Sequence, residues 1–155
     1  MKLLDFLESL TGTAPERGEL ANPPPLDLAT AVLLVEVMRA DPDLQSAERE
    51  AVRRALRQRF AISDRDLDSL VELAERRSRE ANDFFAFTSV LNDRLTQEEK
   101  VSVVEQMWQV AYADGDANPW ERNIVSRVAG LLHVPHGEYI AARLRARAAA
   151  GLQEG

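Results

Sequence analysis

An acidic motif occurs twice in this chain, with a constant separation of 73 residues between equivalent positions. The first copy is Ala-Asp-Pro-Asp at residues 40–43, followed by Glu48. The second is Ala-Asp-Gly-Asp at residues 113–116, followed by Glu121. In each copy an apolar segment precedes the motif and an amphipathic segment follows it. This arrangement predicts a duplicated helix–turn–helix with acidic turns.

Apolar residues recur at helical spacing through most of the chain, and no segment alternates with the period of a strand. We therefore predict an all-α bundle of about seven core helices. The helices form two copies of a three-helix unit joined by a linking helix, which indicates internal duplication. A further short amphipathic helix is predicted at the N-terminus.

Prolines and glycines divide the chain into four predicted parts. Residues 1–10 form the N-terminal amphipathic helix, and residues 11–25 form a linker that ends in three prolines. Residues 26–148 form the all-α domain. Residues 149–155 are expected to fray as a tail.

The composition restricts the classes of function. The chain has 155 residues, a net charge of −7 and no cysteine, so disulfides and thiolate metal sites are excluded. The negative charge argues against nucleic acid as a partner and favours cations or basic proteins. The longest apolar stretch, residues 28–38, is too short to span a membrane, so a soluble protein is expected.

The repeated acids are the candidate ligands of a divalent cation. Carboxylate oxygens clustered on a turn are what Ca²⁺ or Mg²⁺ requires. Carboxylates at the C-terminal ends of helices also face a negative dipole, which a bound cation would offset. The candidate metal ligands are Asp41, Asp43, Glu48, Asp114, Asp116 and Glu121. The sequence does not fix whether the two turns are adjacent in space.

The second turn is not an EF-hand loop, although its first acids have the right spacing. Asp114, Asp116 and Asn118 match the first three alternate positions of that loop. However, Pro119 stands where the loop needs glycine, and Val125 stands where it needs a bidentate glutamate. Any cation site here has a different geometry.

Helix capping is the alternative explanation of the same residues. Asn118, Pro119 and Glu121 have the positions of an N-cap, a first-turn proline and a capping-box glutamate. Gly115 can end the preceding helix with a positive φ. The acidic side chains would then form the turns and cap the helices, or they would contact a basic partner.

Other motifs point away from catalysis. His133 and His136 lie in a predicted interhelical loop without the further ligands that zinc needs. The sequence contains no nucleophile elbow and no phosphate-binding glycine-rich loop, so an enzyme is not expected.

Aromatic and basic residues flank the second turn. Core packing is the favoured prediction for Trp108, Tyr112 and Trp120, with Tyr112 at the rim of the core. An aromatic docking platform is the alternative. Three arginines near the C-terminus are predicted to form a solvated helix end: Arg143, Arg145 and Arg147.

The second copy, Met-Trp-Gln-Val-Ala-Tyr-Ala-Asp-Gly-Asp at residues 107–116 with Glu121, resembles the signature of the TerB family, the tellurite-resistance-associated proteins. The first copy fits the same pattern, except that Pro42 replaces the glycine. The likeness covers about residues 26–147.

The resemblance implies an all-α fold with an internal duplication. It further implies a bacterial, cytoplasmic stress-response module without enzymatic activity, acting near the inner face of the membrane beside a TerC-like protein partner. For this family the acidic residues have been suggested to bind metal, which by motif match transfers to the six candidate ligands. The alternative is a protein-interaction adaptor that uses its acidic surface and N-terminal helix without metal. The oligomeric state is not implied.

Overall fold

The computed structural model describes residues 23–41 and 46–152. Within these residues the protein is all-α, as predicted, with seven helices and no strand. The helices are α1 (Leu26–Arg39), α2 (Ser46–Arg59), α3 (Asp64–Glu80), α4 (Phe85–Arg94), α5 (Gln97–Ala111), α6 (Pro119–Leu131) and α7 (His136–Ala149). None of them is long and apolar enough to cross a bilayer. The predicted N-terminal helix and most of the linker lie outside the described residues.

Helix α1 is the centre of the bundle. It packs against α2, α3, α4, α5 and α6. Every residue from Leu28 to Val35 is buried, because the helix is apolar on nearly all sides and can be surrounded by neighbours.

Helix α5 organises the second half of the molecule. It packs most extensively against α7, and also against α6, α1 and α2. Its start is fixed by a capping box, in which Thr96 and Glu99 each accept a hydrogen bond from the other's backbone N–H. In each half, the first and third helices pack together: α1 contacts α3, and α5 contacts α7. The internal duplication itself remains a prediction from the sequence repeat.

Candidate metal centre

The two acidic turns meet in space. Asp41 follows the end of α1 and Asp114 follows the end of α5. Glu48 lies in the first turn of α2 and Glu121 in the first turn of α6. One carboxylate oxygen from each of Asp41, Glu48 and Asp114 lies within 4.8 Å of the other two. Helices from both halves of the chain therefore bring their acids to a single cluster.

The separation of these three oxygens suits one shared ion. Ca²⁺ holds its oxygen ligands at about 2.3–2.6 Å, so oxygens on opposite sides of the ion are about 4.6–5.2 Å apart. The largest separation among Asp41, Glu48 and Asp114 is at most 4.8 Å. For Mg²⁺, with ligands at about 2.0–2.1 Å, oxygens that lie at the upper limit would have to move closer together.

Glu48 is the most constrained member of the cluster. Its side chain is fully buried, and neither oxygen has a hydrogen-bond donor among the described residues. Its contacts are instead the carboxylates of Asp41 and Glu121. Carboxylates can only accept hydrogen bonds when ionised, so the contacts need a proton or a cation between them. A buried, unsatisfied carboxylate in a native protein calls for such a counter-charge.

Glu121 combines a structural contact with an unsatisfied oxygen. Its Oε1 accepts a hydrogen bond from the backbone N–H of Asn118 at 2.8 Å, and its own N–H donates to Asn118 Oδ1 at 2.8 Å. This is the predicted capping box. Glu121 Oε2 is buried and has no hydrogen-bond partner in the described part of the chain. Capping therefore explains one oxygen of Glu121 and leaves the other facing the cluster.

The electrostatics of the cluster favour protons or cations. Burial, followed by contact with Asp41 and Glu121 and the charge of Asp114, raises the pKa of Glu48 to about 10. Burial also raises the pKa of Asp114 and of Glu121. Within the described residues, no lysine or arginine forms an ion pair with Glu48, Asp114 or Glu121. At neutral pH, the metal-free cluster therefore retains at least one proton.

Of the two remaining candidate ligands, Asp43 lies outside the described residues. Asp116 accepts hydrogen bonds from the backbone N–H of Ala117 at 2.9 Å and from Arg147 at 3.2 Å, and Arg122 lies 3.8 Å away. The carboxylate of Asp116 thus shapes the second turn and already has cationic partners.

Two of the three arginines of α7 pack against the protein, so the prediction of a solvated helix end is wrong for Arg143 and Arg147, whereas Arg145 is exposed and pairs with Glu105. Arg143 Nε donates to Tyr112 Oη at 2.7 Å, and its guanidinium lies 5.2 Å from the ring centre of Trp108. Arg147 lies over the Tyr112 ring and reaches Asp116. The prediction failed because the arginine spacing does not reveal that this side of α7 packs on α5. These contacts brace the second acidic turn.

The aromatic residues around the turn divide into two groups. Trp108 is buried, as predicted. Tyr112, which was predicted at the rim, is buried as well, and the two rings stack at 5.6 Å. Trp120 is 69% exposed, so the core prediction is wrong for this residue. Glu121 and Val125 are buried and lie one helical turn apart on the inner side of α6. Trp120 lies on a different side of the helix.

Comparison with known proteins gives one match. The family model described as "Tellurite resistance protein TerB" matches residues 27–144, well over half of the chain. The matched range includes both acidic turns. It also includes the greater part of each of the seven helices. No curated protein and no solved structure matches the chain.

Proposed function

The chain belongs to the TerB family, and we propose that it is a non-enzymatic stress-response module. In this proposal, its two acidic turns together hold one divalent cation. At the level of the family, it is a tellurite-resistance-associated protein. We further propose a bacterial cytoplasmic location, at the inner face of the membrane beside a TerC-like partner. Ca²⁺ is the preferred ion, and Mg²⁺ and Mn²⁺ are its competitors.

Glu48 is the observation that carries the cation proposal. A fully buried carboxylate that faces other carboxylates costs several kcal/mol unless a proton or cation compensates it. A structural capping role would satisfy the oxygens by backbone N–H groups, as it does for Glu121 Oε1. Both Glu48 oxygens lack such donors among the described residues.

The ligand supply is sufficient for a hard cation. Asp41, Glu48 and Asp114 offer three converging oxygens, and Glu121 Oε2 offers a fourth nearby. Ca²⁺ takes about 6–8 oxygens, so water or backbone carbonyls would complete the shell. Asp114 is exposed, which gives the ion a route to and from solvent.

Thermal unfolding of EDTA-stripped protein tests this proposal. An ion that binds only the folded state, present at 100 times its Kd, adds about 2.7 kcal/mol to the free energy of unfolding. For a chain of this size we expect Tm to rise by about 5–10 °C. Glu48→Gln should abolish the rise, whereas Glu72→Gln, an equal charge change on the exposed side of α3, should preserve it. If no divalent ion raises the wild-type Tm, the proposal is wrong.

A metal-free adaptor is the second candidate function, and Trp120 is the observation that favours it. An exposed tryptophan beside acidic side chains is a suitable anchor for a basic protein partner. Under this alternative, Trp120→Ala should reduce co-purification with a co-expressed TerC-like protein even in EDTA. Leu144→Ala removes an exposed apolar side chain from α7 and is the matched control. Equal recovery of both variants would exclude Trp120 as the anchor.

A further inference from the structure

A small polar pocket lies apart from the carboxylate cluster, between the ends of α1 and α3, the start of α4, and α6. Its volume is about 260 Å³. The lining side chains that matter here are Glu36, Arg39, Ser78, Arg79, Asn82 and Arg127. Drug-sized ligands occupy about 300–1,000 Å³, so this pocket is suited to a single small chemical group.

A fixed hydrogen-bond chain forms one wall of the pocket. Ser78, which is 3% exposed, donates from Oγ to Glu36 Oε2 at 2.8 Å. Arg39 Nη1 donates to the same Ser78 oxygen at 2.7 Å. This chain holds the guanidinium of Arg39 in place and gives the carboxylate of Glu36 a hydrogen-bond donor.

The other two arginines raise the positive charge of the pocket above the negative charge of its two acids, Glu36 and Asp83, and the charges of Arg39 and Arg127 both act on Glu36. Arg127 lies 4.9 Å from the ring centre of Phe84, which positions its guanidinium at the pocket. Within the described residues, Arg39, Arg79 and Arg127 form no ion pair with a carboxylate. The chain has 26 acids against 19 lysines and arginines, so acids are available in excess to pair with them.

Helix-end electrostatics explain only part of this arrangement. Arg39 and Arg79 lie in the last turns of α1 and α3, where a cation offsets the negative helix dipole. Arg127 has no such role, since the last turn of α6 contains no basic residue. The pocket also includes the start of α4, whose dipole is positive there. Asp83, the second acid at the pocket, already accepts the Phe85 N–H at 3.0 Å.

We propose that this pocket binds a phosphate group through the guanidinium groups of Arg39, Arg79 and Arg127. Guanidinium groups pair with phosphate oxygens in a bidentate manner, and a tetrahedral dianion has enough oxygens to engage all three. A monocarboxylate has only two oxygens and one charge. The small volume favours a free phosphate or a phosphomonoester rather than a nucleotide.

NMR titration of the full-length, ¹⁵N-labelled protein with sodium phosphate tests the proposal. EDTA is present throughout and ionic strength is held constant with chloride, so the result does not depend on the cation site. We expect saturable shifts of the amides at residues 82–85. Arg127→Gln and Arg39→Gln should each raise the Kd at least tenfold. Arg65→Gln, an exposed arginine of α3 outside the pocket, should bind as wild type does.

The other outcomes are equally informative. The proposal is overturned if the shifts do not saturate, or if they are the same in Arg65→Gln and Arg127→Gln. The shifts would then arise from charge screening and not from binding in the pocket. Saturable binding of acetate with equal affinity would overturn the assignment to phosphate. A phosphoserine peptide that binds at least tenfold tighter than inorganic phosphate would identify a phosphorylated residue as the source, and equal affinity would identify free phosphate.

Discussion

Glu48 and Asp114 bring carboxylate oxygens within 4.8 Å of each other, although they belong to different acidic turns. The contact arises because α1 and α2 both pack on α5, which brings Asp41 and Glu48 beside Asp114. Like charges at this distance in a partly buried site repel each other strongly. Each copy of the acidic motif therefore contributes part of the carboxylate cluster, and neither copy alone assembles it.

Replacement of Glu48 by glutamine should stabilise the metal-free protein. Glutamine fills the same space and donates two N–H bonds to the carboxylates that Glu48 faces. We expect a gain of about 1–3 kcal/mol in the free energy of unfolding at pH 7.5. Urea unfolding in EDTA measures it, with Glu72→Gln as the exposed control. A loss of stability in Glu48→Gln would mean that the carboxylate is already compensated within the protein.

The stability of the metal-free protein should fall as pH rises. The pKa of Glu48 is raised from about 4.5 when unfolded to about 10 when folded, so between these values the folded state holds the extra proton. Deprotonation therefore favours unfolding, with a slope of up to about 1.4 kcal/mol per pH unit for one proton. Asp114 and Glu121 contribute with the same sign, because burial raises their pKa values too.

Unfolding in EDTA at pH 5.5, 7 and 8.5 measures this dependence. The slope should become shallower in Glu48→Gln and should fall close to zero when a saturating divalent ion is present, because the bound ion replaces the extra proton of the folded state. A stability that rises with pH in the metal-free wild type would contradict the electrostatics described for the cluster.

Asp114→Asn and Asp116→Asn should separate the two roles of the second turn. Asp114 belongs to the converging group, so its substitution should weaken cation binding at least tenfold. Asp116 is engaged by Arg147 and Arg122, so its substitution should change the cation Kd less than threefold and cost at most about 1 kcal/mol of stability. Calorimetric titration of both variants decides between these roles, and equal loss of binding would place Asp116 among the ligands.

The two tryptophans should respond differently to truncation. Trp108 is fully buried in the core, so Trp108→Ala should cost about 3–5 kcal/mol. Trp120 is exposed, so Trp120→Ala should stay within about 0.5 kcal/mol of wild type. Chemical denaturation of both variants tests the placement. A large loss for Trp120→Ala would show that its side chain is covered in solution.

Local chemistry accounts for what the sequence predicted correctly. The cap at Asn118 and the positive φ at Gly115 depend on neighbouring residues, and the all-α fold depends on helical periodicity. The meeting of Asp41 with Asp114 depends on how α1 and α5 pack, which periodicity does not specify. The prediction that Arg143 is solvated failed for the same reason. An arginine becomes buried only through contact with a neighbour, and the sequence does not identify that neighbour.

Calorimetric titration of Ca²⁺ into EDTA-stripped wild-type protein tests the central claim most directly. If the two turns form one centre, the titration will show a single Ca²⁺ site per chain. The number of protons released on binding will be larger at pH 6 than at pH 8. Two independent sites per chain would mean that each turn binds alone, and the absence of binding at millimolar Ca²⁺, Mg²⁺ and Mn²⁺ would contradict the account.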